Sequence, residues 1–590
     1  MQQIGTLTGK KYLGDYGSDM EQFAALMNAG AVVAEAMDLK VGVALTAGKN
    51  LTLNANDVDI VTVAKEKHVA VAYGSSSAEI HDVQHQQSAL SGENIRLNTK
   101  KNISIAGGIL IAKNDVNAKG DVNLTAGKDL YSEESEVGNR GGSYYNHNKQ
   151  VDEAVKGTTI AAKNDISIAS GKDINIKGSN VASEAGKADL IAENNINIAN
   201  ETEYHERLHE EHNKVSGLLS SKTTDIYDYS KQNTVVSSNV SAGEIAISSK
   251  KDTNITGSNV VADNDVSVKI GGNLNIGSAE QTSESEYIKS VKKSGILSGG
   301  GLGFTIGKEK QKDQYANQNT EQVGSTVGSV KGNVNLDADK AANVKGSTVV
   351  AGKDINITGE NVKIENCNSV YNAQEKHEFK RTGLSVSVGG AYVDVVNNAA
   401  NSVKHATDIE DKRLGALVAV KGYKDADKAI KDIKGKGGGK VTENLSINVS
   451  LGTTKSKSES NSTTTVANAS EVKAGGDVNV TSTKKDIDIT GSNVEGKDVT
   501  LNAKENLNIT ASKNTNKTEQ NSKSSSASVG ASLELGKGPS YSISGSMSKG
   551  EVSANGTSYN ESNVKAEKDL NFASGNDTKS YTGTVPRQAQ

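Results

Sequence analysis

The sequence has no tryptophan, four phenylalanines, two prolines and one cysteine in 590 residues. With aromatics at only 4%, a large globular core built on bulky rings is excluded. The single cysteine, Cys367, cannot close an intrachain disulfide and is expected to act as a small buried hydrophobe. No stretch approaches the roughly 18–20 apolar residues that span a bilayer. The opening MQQIGTLTGKK lacks the apolar core of a secretory signal. A net charge of −5 gives no basic footprint for nucleic acid. The scarcity of proline argues against disorder.

What is present is repetitive. One phrase recurs as AGKNLTL at Ala47, AAKNDISI at Ala161, SGKDINI at Ser170, GGNLNI at Gly271, AGKDINI at Ala351, AGGDVNV at Ala474 and AKENLNI at Ala503. In each copy Gly, Asn or Asp suits a turn, and two aliphatic residues then alternate with polar ones, as in a strand with one buried face. A second phrase, GSNV or GSTV, starts at Gly178, Gly257, Gly346 and Gly491. Equivalent anchors lie 20 to 22 residues apart: Leu90 to Ile111, Ile160 to Val181, Val240 to Val260, Val327 to Val349, Val472 to Val494 and Val564 to Val585. A strand, a turn and a return to the same register at this interval describe one coil of a solenoid.

The expected fold is therefore all-β, a right-handed parallel β-helix with coils of about 21 residues. Such short strands cannot bury a core alone, but coils stacked about 4.8 Å apart pair each backbone group with the coils above and below. Ile174, Ile176, Ile255, Ile355, Ile357, Ile487 and Ile489 are expected to stack inward as ladders. Asn175, Asn254, Asn356 and Asp488 would face outward, where asparagines can bond along the stack. Pairs of coils alternate with polar tracts, including 200–234, 279–323, 368–390 and 511–560, which read as extended hairpins flanking the coils. Helical spacing marks residues 18–37 and a stretch within 391–440. The expected organisation is a helical lead-in over 1–45, β-helical repeats over 46–390, a helical insertion with a Gly/Lys linker over 391–440, further repeats over 441–578 and a tail over 579–590.

These phrases resemble the distal repeats of the hemagglutinin-repeat exoproteins of Gram-negative bacteria, which include filamentous hemagglutinin and the contact-dependent growth inhibition toxins. The resemblance rests on AGKDINI and GSNV, on HEEHNKVSGLLSS at His209, on GFTIGKEKQ at Gly303 and on INVSLGTTKSKSESNSTTT at Ile447, and it covers residues 46–578. It implies a secreted, cell-surface segment of a two-partner-secretion exoprotein, exported through an outer-membrane β-barrel transporter and facing a target or host cell. Its role would be adhesin stalk or toxin delivery, without the toxin itself. The sequence shows no signal peptide, no transporter-recognition domain and no toxin segment after residue 578, so a fragment of a longer exoprotein, or a non-functional gene remnant, is expected.

One motif points elsewhere. His205-Glu206-Arg207-Leu208-His209 matches HExxH, in which two histidines one helical turn apart bind zinc and the glutamate acts as base, and His212 follows. Yet YHERLHEEHNK is polar on every face, whereas a zinc-protease helix buries one side. The reading adopted is no enzyme, no cofactor and no metal site, with a metalloprotease at His205, His209 and His212 as the alternative from another class. The glycine-rich runs at Gly299 and Gly435 lack the context of a phosphate-binding loop and read as turns.

Overall fold

A computed structural model describes residues 32–35, 38–42, 44–298, 303–389, 446–534 and 538–581. Each coil supplies three short strands. In one coil these are Asn180–Ser183, Lys187–Ala192 and Ile196–Ala199, and in the next Asn239–Ala242, Glu244–Ser249 and Thr253–Thr256. The first strands of successive coils stack in parallel as a twelve-stranded sheet. The second and third strands form two further parallel ladders, joined where Asn94–Ala106 and Val116–Thr125 run through the corner between them. The protein is a right-handed parallel β-helix.

The recurring phrase serves two faces of each coil. Ile355 stacks between Val334 and Val478 on the second face, while Ile487 stacks between Val362 and Leu507 on the third. Ile174, Ile176, Ile255, Ile355, Ile357, Ile487 and Ile489 are fully buried, within a continuous aliphatic interior. Outside, an asparagine ladder runs Asn123, Asn175, Asn197, Asn254, Asn275, Asn343, each Nδ2 donating to the preceding Oδ1 at 2.7–2.9 Å. One anchor differs from the sequence reading. Leu90 pairs with Leu110, and Ile111 points outward. Every residue of ILIA is apolar, so alternation could not set its parity.

A second ladder is buried at the first corner. The backbone N–H of Ser179 donates to Ser238 Oγ, that of Ser238 to Ser258, Ser258 to Ser325, Ser325 to Ser347, and so on through Ser470 and Ser492 to Ser562. The preceding residue alternates with it. Gly178, Gly257, Gly346 and Gly491 adopt φ of 53–55° and turn the chain directly into the next coil. At the intervening corners the chain leaves the coil and returns. There the serine closes the neck: Ser238 Oγ donates to the Ala199 carbonyl at 2.6 Å, and Ser325 Oγ to the Gly277 carbonyl at 2.6 Å.

The excursions are hairpins, and they are one structure. Their twelve strands, from Val63–Tyr73 to Ser540–Asn560, form a single antiparallel sheet that stands off the solenoid as a fin. A hairpin adds two strands spaced about 4.8 Å apart, and two coils at the same spacing separate successive hairpins, so fin and solenoid advance together. Strand length rises from 11 residues in Val63–Tyr73 to 23 in Cys367–Gly389, Ser446–Asn468 and Ser512–Glu534. The fin therefore grows from about 37 to about 78 Å tall.

Among the described residues there is no helix. The expected insertion over 391–440 and most of the lead-in lie outside the described residues. The part of the lead-in that is described corrects the helical reading: Val32–Glu35 and Asp38–Val41 are strands, paired in parallel with Leu51–Asn54 and Asp57–Ile60. Cys367 is buried at the root of the fin, where its Sγ fills the space that a Cβ on Gly346 would need.

Candidate functional site: one face of the fin

Directly opposed residues in an antiparallel sheet point to the same side, so the strand register defines the faces of the fin. One row on one face reads Lys214, Thr223, Lys292, Lys310, Lys380, Lys455 across consecutive strands. The neighbouring row toward the solenoid adds Lys312, Lys457, Lys523 and Lys549, with Asp225 and Glu378 as its acids. The row on the outer side reads Ser221, Ser294, Lys308, Thr382 and Thr453.

Beyond it, still on the same face, the residues become aliphatic. Ile296, Ile306, Leu384, Leu451, Val529 and Ile543 stand opposite one another on six consecutive strands. All six are exposed, from 40% for Leu384 to 88% for Ile543. The alternating positions on the other face are Gly295, Gly307, Gly383, Gly452, Ser528 and Ser544. The outer fin is thus amphipathic, with an aliphatic strip bordered by lysines. Contiguous exposed apolar surface of this kind marks an interaction site.

The HExxH residues lie on the fin strand Glu201–Ser216, and no helix forms there. His205 and His209 share a face but stand four residues apart along an extended strand, about 13 Å, and His212 points to the other face. Each imidazole Nδ1 donates to a cross-strand neighbour: His205 to Asp152 Oδ1 at 2.9 Å, His209 to Asn148 Oδ1 at 2.7 Å and His212 to Asp225 Oδ1 at 2.6 Å. Two histidines a helical turn apart bind zinc only when a helix brings them together, so the metalloprotease alternative has no geometry here. Among the described residues no group of three or more His, Cys, Asp or Glu is placed to hold a metal ion.

The remaining titratable groups knit strands together. His147 is buried with Nε2 2.8 Å from Glu134 and Nδ1 3.1 Å from Glu210. Burial pulls its pKa down, but the two carboxylate hydrogen bonds outweigh this and hold it above the usual value. On the face opposite the lysine rows, Glu309 is nearly buried between Lys293 and Arg381. Burial pushes its pKa up, but those two cations overcome it and hold the carboxylate below its ordinary range.

A solenoid of short coils carrying a hairpin at every second coil defines a repeat protein whose sequence unit is one pair of coils with its hairpin. The family model described as hemagglutinin repeat matches residues 69–145, 138–293, 305–413 and 451–585, and the chain belongs to this family. Over 557 residues, 91% of the chain, it is 31% identical to the tRNA nuclease CdiA of Escherichia coli strain STEC_O31, covering 16% of that protein. It is 33% identical over 331 residues to the 16S rRNA endonuclease CdiA of Enterobacter cloacae, covering 55% of this chain and 10% of that protein. With the deoxyribonuclease CdiA of Yersinia pseudotuberculosis serotype O:3 it shares 33% identity over 350 residues, 58% of this chain and 32% of that one. The chain therefore spans a third or less of the length of these relatives. No solved structure matches.

The solenoid is legible in the recurring phrases, whereas the fin face is not. The phrases SGILS at Ser294 and TGLSVSVGG at Thr382 were visible signals of it. Only the register, which sets Ile306 against Leu384 and Lys310 against Lys380, aligns them into rows.

Proposed function

We propose that the chain is a secreted, cell-surface β-solenoid segment of a two-partner-secretion exoprotein, the stalk or delivery region of contact-dependent growth inhibition. An outer-membrane β-barrel transporter is its export partner, and the surface of a target or host cell is what it meets. The observation that carries this reading is the amphipathic face of the fin. Coil residues are occupied in stacking, so the solenoid sets the reach and the fin supplies the contact. Export fits the composition, because a chain with one cysteine and two prolines needs no disulfide pairing and few slow prolyl steps, and a solenoid can grow coil by coil as it emerges.

Purified chain incubated with washed bacterial cells tests the contact. The double variant Leu384→Ser, Leu451→Ser removes two exposed aliphatic side chains from the strip without touching a coil. It is expected to reduce the amount bound about tenfold, with an unchanged circular dichroism spectrum. Cell binding equal to that of the parent chain would show that this face is not the contact surface.

A further inference from the structure

We propose that the lysine rows of the fin form a docking groove for an extended acidic polysaccharide, laid along the fin and across its strands. This rests on the fin being the contact surface and names what it holds.

The placement of the lysines is the first reason. Lys292, Lys310, Lys380 and Lys455 stand directly opposite one another on four consecutive strands. Like charges in directly opposed positions destabilise a sheet. Lys292 is relieved by Asp225, at 3.0 Å. Glu378 in the neighbouring row attracts Lys310 but pairs with Lys376, and among the described residues Lys310, Lys380 and Lys455 have no carboxylate within ion-pair distance. Opposed lysines that the sheet does not pair off leave their ammonium groups available to an external anion.

Shape is the second. A cavity of about 650 Å³ opens over these rows, lined by Lys214, Lys292, Lys308, Lys310 and Lys380, with the hydroxyls of Ser221, Thr223, Ser294 and Thr382 between them; Lys293 and Glu309, which pair with each other at 2.9 Å on the opposite face, complete the lining. Ammonium groups donate to carboxylates, and hydroxyls donate to and accept from sugar hydroxyls. The groove therefore offers both of the contacts that an acidic sugar needs.

Periodicity is the third. Lysines on adjacent strands repeat about every 4.8 Å along the fin. A linear polymer of acidic sugars presents carboxylates at intervals of the same order, so several of them can meet lysines of the row at once. Single-stranded nucleic acid would call for aromatic stacking platforms. Neither the Lys292 row nor the Ser294 row carries an aromatic ring.

Fluorescence anisotropy of a labelled polyguluronate oligomer against the full chain tests the proposal. Neutral dextran and phosphatidylglycerol vesicles serve as comparison ligands. Polyguluronate is expected to bind at low salt, to be released as salt rises, and to bind about tenfold or more weakly to the fourfold variant Lys292→Gln, Lys310→Gln, Lys380→Gln, Lys455→Gln. That variant relieves repulsion, so its melting temperature should not fall. Unchanged affinity in the variant, equal binding of dextran, or capture of the vesicles in preference to polyguluronate would each overturn the assignment. If polyguluronate is not bound while cells still are, the ligand assignment falls and the contact reading of the fin stands.

Discussion

Gly257 turns one coil into the next at φ +53°, and a Cβ built on it would lie 2.5 Å from the Ala279 Cβ at the root of the following hairpin. Both the backbone and the space require glycine. Gly257→Ala is expected to cost about 2–4 kcal/mol, read as a lowered urea midpoint. His147 gives a pH dependence. Its folded pKa is raised above the ordinary 6.5, so its contribution is complete below about pH 6.5 and is lost as pH rises through the folded value. Amide protection in Tyr144–Lys156, corrected for intrinsic exchange, should fall over that window, and His147→Ala should flatten the dependence. The GSNV phrase was visible in the sequence, but its double role was not. The glycine turns the chain, while the serine either bonds locally, as Ser258 does to Thr256, or clamps the neck of a hairpin, as Ser325 does. Which role applies depends on whether the chain has just left the coil, information carried by residues far from the phrase.

At the scale of elements, the fin and the coils differ in how their strands are secured. A coil strand is held by its neighbours in the stack and by the aliphatic interior. A fin strand is held chiefly by the strands beside it, because much of both faces is open to solvent. Trimming residues 205–232 to a short turn should therefore expose new edges on both sides. Hydrogen exchange is expected to accelerate in the outer parts of Tyr144–Lys156 and Ala279–Ser298, while Asn180–Ser183 and Asn239–Ala242 keep their protection. Alternation of Ile with Asn, as in Ile174-Asn175-Ile176, announced the coil strands because one side of each is dry. The fin was harder to read. TEYHERLHEEHNK has no apolar periodicity, and its HExxH spacing mimics a helix that the strand never forms.

At the scale of the molecule, the pairing of hairpins with coils governs what changes of length the structure tolerates. Deleting the single coil 238–257 would bring the hairpins over 201–236 and 279–323 about 4.8 Å too close for their strands to remain in register. Deleting 238–324, two coils and a hairpin, would leave the fin spacing intact. The first variant is expected to melt at a lower temperature than the second, although it loses far less of the protein. An odd number of added or removed coils is thus a frustrated change, and an even number is neutral only when each pair of coils takes its hairpin with it. Growth of such a chain obeys a parity rule: counted in coils, it lengthens by doublets, and each doublet carries its own increment of binding surface with it.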